Sequence, residues 1–248
     1  MYEAALCSKQ VQFRMRKSMR KMGEAQIIDF FSSYLKDVLH CKFGAYANYS
    51  VGNFSGSQDR KFSDFFAGTD SHNILIEFKE KKEECAYEGL KPLRERLCDK
   101  LDDKISGLSR ECHFIGWGTN HVTTVIELNP YIDLICRIFN QTDYLLKPTD
   151  KNHETFVQNF IDGKIGVDQD SFVKYIEHLN NIAGGSASGT DIPFRSILYS
   201  RNENGLLVGT RFENLGELIQ LRNMRTRKLG PTQGGASSGP SGGMKPRF

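Results

Sequence analysis

The seven residues Asn73–Lys79, Asn-Ile-Leu-Ile-Glu-Phe-Lys, constrain the fold of this chain more than any other segment. Three apolar residues are followed by a carboxylate and an ammonium two positions apart. In a β-strand alternate side chains point to opposite faces, so Glu77 and Lys79 share one face and Phe78 lies on the other. Burying a charge without compensation is costly, so a charged pair on an inward face needs partners or a chemical role. The segment therefore predicts a strand that ends in a functional site.

The segments around this strand predict a sheet flanked by helices, because their apolar residues recur with the period of a strand or of a helix. The predicted strands are residues 43–51, 61–67, 73–79, 112–118 and 122–128. The predicted helices are residues 24–40, about 91–105 and 130–140. Short polar turns join the first three strands, which favours an antiparallel meander. The order α, β, β, β, α, β, β, α predicts an α/β or α+β fold with a mixed sheet.

The rest of the chain predicts a C-terminal extension and a tail. Helices are expected at residues 154–161 and 169–182, then a hairpin of residues 194–199 and 206–212, then a short helix at 215–224. Residues 230–248 are rich in Gly, Ser and Pro, which is typical of disorder. We divide the chain into a basic N-terminal arm (1–22), a core (23–145), the extension (146–229) and this tail (230–248).

Charge is distributed unevenly along a chain of ordinary globular composition. Its formal net charge of +3 is too small by itself to indicate a polyanionic partner, but basic residues concentrate in the N-terminal arm and near residues 217–228. Phosphate contacts are one interpretation of these groups, and solvated basic surface is the alternative. The candidate DNA contacts are Arg14, Arg16, Lys17, Arg20, Lys21, Lys82, Arg222 and Arg225.

The cysteines and the hydropathy predict a cytoplasmic protein. The six cysteines show neither C-x-x-C pairs nor zinc-ligand spacing, so we expect separate thiols in a reducing compartment. No apolar run is long enough to span a bilayer, and the N-terminus has no apolar segment of a secretory signal.

The residue types near the Glu77/Lys79 pair are those of metal-assisted phosphodiester hydrolysis. Asp64 precedes the pair by about a dozen residues, and two carboxylates on neighbouring strands suffice to anchor Mg²⁺, which prefers hard oxygen ligands. The metal would acidify a bound water, and Lys79 would position or deprotonate that water or contact the phosphate. Glu24, in the first turn of the first helix, is a candidate outer ligand, although a carboxylate there also suits the helix dipole.

Spacing alone does not select these residues. The pattern [DE]-x-K occurs five times, at Asp59/Lys61, Glu77/Lys79, Glu80/Lys82, Asp102/Lys104 and Asp162/Lys164. Only Glu77/Lys79 ends an apolar strand and precedes a long helix, whose charged residues such as Glu88 and Lys91 are expected to face water. The alternatives are an edge strand whose charged face meets water, and Asp70 in place of Asp64, although Gly-Thr-Asp-Ser is typical of a turn.

This arrangement resembles the PD-(D/E)xK nuclease superfamily over residues 20–130, with Asp64, Glu77 and Lys79 at the motif positions and Glu24 at the first-helix acid of some branches. Ser63 stands where the motif has proline. The resemblance implies a restriction-endonuclease-like α-β-β-β-α-β core and a nuclease that uses Mg²⁺ or Mn²⁺ on DNA. It also implies a role in phage defence, restriction or repair, with a partner helicase or ATPase or a homodimer as candidate assemblies.

Two other functions fit the same residues. One is a catalytically inert module of the nuclease fold that binds nucleic acid or docks a partner helicase or ATPase. The other is a structural protein of a defence or prophage complex. His113, His121 and Trp117 lack partners at ligand or motif spacing, so we interpret them as structural residues.

Overall fold

A computed structural model describes residues 23–44, 48–54, 56–119, 124–139, 151–202 and 204–229. In this part of the chain eight strands form one mixed sheet, in the order β6-β5-β4-β3-β2-β1-β7-β8. The strands are β1 (Tyr49–Asn53), β2 (Phe65–Gly68), β3 (Asn73–Lys79), β4 (His113–Gly118), β5 (Ile126–Pro130), β6 (Lys151–Asn152), β7 (Pro193–Arg201) and β8 (Leu207–Asn214). β3 and β4 are parallel and the other neighbours are antiparallel, so β1, β2 and β3 form the predicted meander.

Helices cover both faces of this sheet, which confirms the mixed α/β class. They are α1 (Glu24–Phe43), α2 (Ser57–Lys61), α3 (Pro92–Asp99), α4 (Asp103–Cys112), α5 (Tyr131–Ile138), α6 (His153–Ile161), α7 (Gln169–Ile182) and α8 (Leu215–Leu229). Two 3₁₀ segments, Lys82–Leu90 and Gly189–Asp191, complete the regular structure of the described residues. Among the described helices, none has the length and apolar character needed to cross a bilayer.

The strand β3 lies in the middle of the sheet, and all seven of its residues are buried. Ile74, Ile76 and Phe78 pack on the face that α1 covers. Leu75 packs on the opposite face, as strand alternation requires. The edge-strand alternative is wrong, because β2 and β4 pair with β3 on both sides.

The predicted strand 43–51 begins only at Tyr49, since Phe43 ends α1, and the predicted strand 122–128 corresponds to β5 at Ile126–Pro130. Two further predicted elements differ because side chains make hydrogen bonds that periodicity does not reveal. The predicted strand 61–67 is instead α2 followed by β2, and the chain turns at Asp64, whose carboxylate accepts from the backbone N–H of Phe78. The predicted helix 91–105 is divided into α3 and α4. Asp102 caps α4 by accepting a hydrogen bond from the backbone N–H of Ile105 at 2.7 Å.

The prediction of separate thiols is wrong for two cysteines. Cys98 of α3 and Cys136 of α5 form a disulfide, which joins two helices on the same face of the sheet. Their distance in sequence, 38 residues, gave no indication of this pairing. Cys41, Cys85 and Cys112 are free thiols.

The C-terminal segment is continuous with the sheet. β7 pairs with β1, and Phe194 of β7 is fully buried. Its ring contacts four other phenylalanine rings at centroid distances between 4.9 and 5.7 Å, namely Phe54, Phe62, Phe66 and Phe172. These aromatic contacts connect β7 to α2, β2 and α7, so residues 193–214 complete the hydrophobic core.

We expect Phe194→Ala to lower the free energy of unfolding by about 3–5 kcal/mol, because it removes a fully buried ring and leaves a cavity. Leu90→Ala is the control, since Leu90 is 79% exposed and its loss should cost less than about 0.5 kcal/mol. Urea denaturation followed by circular dichroism measures both values. Equal effects would contradict the assignment of β7 to the core.

Candidate metal centre

The four predicted catalytic residues meet at the end of the sheet where β3 ends and β2 begins. Lys79 Nζ lies 2.6 Å from Glu77 Oε1, 4.0 Å from Asp64 Oδ2 and 4.0 Å from Glu24 Oε2. Asp64 is held there by its hydrogen bond from Phe78 N at 2.6 Å. β3, the turn before β2 and the first turn of α1 therefore bring these side chains together.

A third carboxylate, which the sequence analysis missed, completes a potential metal-ligand set. Asp59 of α2, Asp64 and Glu77 each offer an oxygen, and the three oxygens lie within 4.8 Å of one another. Asp59 belongs to one of the four [DE]-x-K pairs that do not end an apolar strand. Its place in the site follows from α2, which lies just before the turn at Asp64.

The oxygens of this cluster fit a hard divalent cation. Glu77 Oε2 is buried and makes no hydrogen bond with any described residue. The nearest cationic nitrogen in its ion pairs, Arg94 Nη2, lies 3.7 Å away. A buried carboxylate oxygen without a hydrogen bond is unfavourable, and a cation beside it would compensate. Oxygen ligands of this kind suit Mg²⁺ or Mn²⁺.

Glu77 also contacts a group of charged residues that the sequence analysis placed in solvent. Glu88 is completely buried, and its Oε1 lies 2.6 Å from Lys91 Nζ and 3.3 Å from Lys79 Nζ. Lys91 Nζ is also 3.0 Å from Glu77 Oε1. The expectation that Glu88 faces water is wrong, because its side chain is fully buried against Lys79 and Arg94, whereas the side chain of Lys91 stays 43% exposed.

Arg94 and Tyr131 close the inner side of this cluster. Arg94 is 2% exposed, its Nε lies 3.4 Å from Glu88 Oε2, and its guanidinium lies over the ring of Tyr131. The hydroxyl of Tyr131 donates a hydrogen bond to Glu88 Oε2 at 2.6 Å. The spacing Glu88-x-x-Lys91-x-x-Arg94 is a signal in the sequence that could have indicated one shared face.

The charges of the whole cluster do not balance. The negative groups are Glu24, Asp59, Asp64, Glu77 and Glu88, and the positive groups are Lys79, Lys91 and Arg94. With every group ionised, five negative and three positive charges leave a formal charge of −2. One divalent cation would neutralise that charge.

The environment separates the protonation states of these residues. Burial and the neighbouring carboxylate of Glu77 raise the pKa of Asp64 to about 8. Burial alone would raise the pKa of Glu77 as well, but Arg94 and Lys79 lower it to about 2. Burial alone would lower the pKa of Lys79, but Glu77 and Asp64 raise it above its usual value. The raised pKa favours the ammonium form of Lys79, which donates hydrogen bonds to Glu77 Oε1 at 2.6 Å and to the backbone carbonyl of Phe78 at 2.8 Å.

The alternatives weighed for individual residues are resolved by position. Asp70 is exposed in the turn between β2 and β3, at the opposite end of the sheet from Lys79. His113 is buried and its Nδ1 lies 2.8 Å from the hydroxyl of Tyr175, so it is structural. Trp117 is buried too, and its indole N–H donates to Glu127. His121 lies outside the described residues.

The predicted DNA contacts fall into three groups. Arg14, Arg16, Lys17, Arg20 and Lys21 lie outside the described residues, as does the side chain of Arg225. Lys82 is exposed, with its Nζ 5.2 Å from the centre of the Trp117 ring.

Arg222 has a different position from the one its predicted role requires. It is 6% exposed and donates hydrogen bonds to Gln169 Oε1 and to Asn73 Oδ1. Asn73 begins β3, so Arg222 lies at the opposite end of that strand from Lys79, about 20 Å away at 3.3 Å per residue. Its hydrogen bonds attach α8 to β3, which is a structural role.

Searches of protein-family models, of curated proteins and of solved structures gave no match to this chain.

We expect Arg94→Gln to lower the free energy of unfolding by about 3–5 kcal/mol, because it removes a partner of two buried carboxylates. Arg96→Gln, two residues further along α3 and exposed, is the control and should change stability by less than about 0.5 kcal/mol. Chemical denaturation of the three proteins provides the comparison. Similar values for both variants would show that Arg94 does not compensate these charges.

The raised pKa of Asp64 predicts a pH dependence of stability in EDTA. The folded protein holds this proton up to about pH 8, whereas an unfolded aspartate releases it near pH 3.9. The contribution of Asp64 to stability is therefore complete below about pH 4 and is lost as the pH rises to 8. Asp64→Asn should remove this loss. The melting temperature of Asp64→Asn minus that of the natural chain should therefore increase as the pH is raised from 5 to 9. Asp70→Asn should give a constant difference, and a constant difference for both variants would contradict the prediction.

Proposed function

We propose that this chain is a metal-dependent nuclease that hydrolyses phosphodiester bonds of DNA. The observation that carries the proposal is the approach of Asp59, Asp64 and Glu77 to within 4.8 Å, with the ammonium of Lys79 at 2.6 Å from Glu77. The resemblance to the PD-(D/E)xK superfamily supports it, since a carboxylate before β2 and a Glu-x-Lys pair at the end of β3 follow α1, β1 and the short helix α2. A restriction-endonuclease-like core in residues 23–145 is part of the proposal.

Asp64 and Glu77 are the residues that would hold Mg²⁺ or Mn²⁺, and Asp59 offers a further oxygen. A bound divalent ion lowers the pKa of a coordinated water and offsets negative charge that develops on the phosphate. Arg94 and Lys91 fix the carboxylate of Glu77, so that Oε2 is the oxygen without a hydrogen bond. These contacts prepare the ligand before substrate binds.

Lys79 and Glu24 would contact the substrate or the attacking water. The ammonium of Lys79 is held by Glu77 Oε1 and by the backbone carbonyl of Phe78 at 2.8 Å. It can donate a third hydrogen bond, either to the scissile phosphate or to the attacking water. Glu24 has a side chain 45% exposed, so it can accept a hydrogen bond from a water at the rim of the site.

A role in phage defence, restriction or repair belongs to the same proposal. A partner helicase or ATPase would supply the DNA, and a homodimer would bring two centres to the two strands. No contact in the described residues identifies either assembly.

One observation favours the inert nuclease-fold module as a second candidate. Glu77 Oε1 is held by both Lys79 and Lys91, at 2.6 and 3.0 Å. Cations this close to a carboxylate compete with a metal ion for the same oxygen. An inert module would retain this ion-pair cluster for stability and bind nucleic acid or a partner elsewhere.

We expect the purified protein to nick supercoiled plasmid in Mg²⁺ or Mn²⁺ and to lose that activity in EDTA. Lys79→Ala, Asp64→Asn and Glu77→Gln should each lower the rate at least about 100-fold, because each removes a group that stabilises the transition state. Asp70→Asn is the control, because it removes a carboxylate from the opposite end of the sheet and should leave the rate unchanged.

The outcomes of this experiment separate the two candidates. Nicking that persists in EDTA and in Lys79→Ala would exclude the proposed mechanism. Absence of nicking, together with no binding of Mn²⁺ in an electron paramagnetic resonance titration, would favour the inert module. Binding of Mn²⁺ that Asp64→Asn weakens and Asp70→Asn leaves unchanged would support the metal centre independently of the substrate.

A further inference from the structure

A polar groove of about 610 Å³ opens beside the metal centre. β1, α2, β7 and β8 form its walls, and the lining residues that matter here are Asn53, Ser57, Gln58, Arg195, Arg211 and Glu213. It has no part in the metal centre, and its lining is mainly polar. A groove of this composition suits a polar, extended ligand rather than an apolar one.

The groove and the metal centre lie at the same end of the sheet. Asn53 ends β1 and pairs with Phe65, the residue that follows Asp64. β7 is antiparallel to β1, so β7 starts at this end, and β8 finishes there. The two sites therefore lie at the same end of the sheet but on opposite faces, because Arg195 and Arg211 alternate with Phe194 and Phe212, which pack on the face of Glu77 and Lys79.

The short helix α2 is the wall that the two sites share. Asp59 of α2 belongs to the carboxylate cluster. The preceding residue, Gln58, lines the groove, and its Oε1 accepts a hydrogen bond from the backbone N–H of Arg195 at 2.6 Å. A ligand that lies across α2 would contact both sites.

Two arginines of the groove have guanidinium groups that can bind a phosphate. Arg211 is exposed and makes no side-chain hydrogen bond or ion pair with any residue of the described ranges. Arg195 Nε lies 2.7 Å from Glu213 Oε2, but these side chains are 68% and 60% exposed. Such exposed pairs contribute little to stability, so Arg195 can exchange its carboxylate for a phosphate. The planar guanidinium matches two phosphate oxygens at once.

The separation of the two sites fits a nucleic-acid backbone. From β2, which follows Asp64, to β8, which carries Arg211, there are three strand spacings, or about 14 Å. Because the two sites lie on opposite faces, a ligand that reaches both must span more than this distance, which a DNA backbone of several nucleotides can do.

We propose that this groove binds the DNA backbone several phosphates away from the one at the metal centre, with Arg211 and Arg195 as the phosphate contacts. The inference rests on the proposed function for the identity of the ligand. Glu213 opposes binding, because its carboxylate pairs with Arg195 and repels phosphate. The groove thus extends the substrate site beyond the reacting phosphodiester.

Fluorescence anisotropy with a labelled DNA duplex of about 30 base pairs, in EDTA to prevent cleavage, tests the groove. Arg211→Gln should weaken binding about three- to tenfold near 0.1 M salt, and should reduce the slope of log Kd against log salt by about 0.9. Lys164→Gln is the matched control, since it removes one positive charge near Gly166 and His72, at the other end of the sheet. Glu213→Gln should tighten binding, a gain that damage to the fold would not produce.

Hydrolysis of bis(p-nitrophenyl) phosphate distinguishes this inference from the proposed function. That diester is too small to reach the groove, so Arg211→Gln should hydrolyse it in Mn²⁺ at the rate of the natural chain. The natural chain could bind DNA with the expected dependence on Arg211 and yet hydrolyse neither DNA nor the small diester. That result would support DNA binding in the groove and contradict the nuclease proposal. Failure of the natural chain to bind DNA, or equal effects of Arg211→Gln and Lys164→Gln, would overturn the groove.

Discussion

The structure depends on the burial of one carboxylate, that of Glu77, in the middle of a mixed sheet. β2 and β4 occupy both sides of β3, and helices cover both of its faces, so Glu77 has no access to water in the described structure. An ionised carboxylate tolerates such a place only with close partners. Lys79, Lys91 and Arg94 supply them, and the segment after β3 must therefore fold back over the strand.

The same arrangement leaves the solvent side of the cluster too negative. Asp59 and Asp64 approach Glu77 from α2 and from the turn that follows it, and Lys79 reaches Asp64 only at 4.0 Å. Burial and this excess of negative charge together raise the pKa of Asp64. The negative charge at Asp64 destabilises the protein without a metal, and the same charge would attract a divalent cation. Stability and the proposed function therefore oppose each other at Asp64.

Periodicity predicted much of the fold because the buried stripes are strong. α1, β3, β4 and the helices α6 and α7 agree closely with their predicted ranges. Other parts of the prediction failed where local hydrogen bonds or long-range contacts decide. Asp102 caps the start of a second helix, Cys98 bonds to Cys136, and Arg222 is buried against Asn73. Nothing in the spacing of those residues distinguishes them from exposed polar residues or separate thiols.

The sequence by itself determined the strand that carries Glu77 and Lys79 and placed Asp64 close before it, because strand alternation is a local property. Only the tertiary structure decided which other charges surround them. Asp59, Glu88 and Arg94 come from a short helix, a 3₁₀ segment and the helix after it. The three-residue spacing of Glu88, Lys91 and Arg94 indicates a shared face, but it does not say which strand that face meets. Their convergence follows from how these segments pack against β3, and packing of distant segments is not encoded in the period of any one of them.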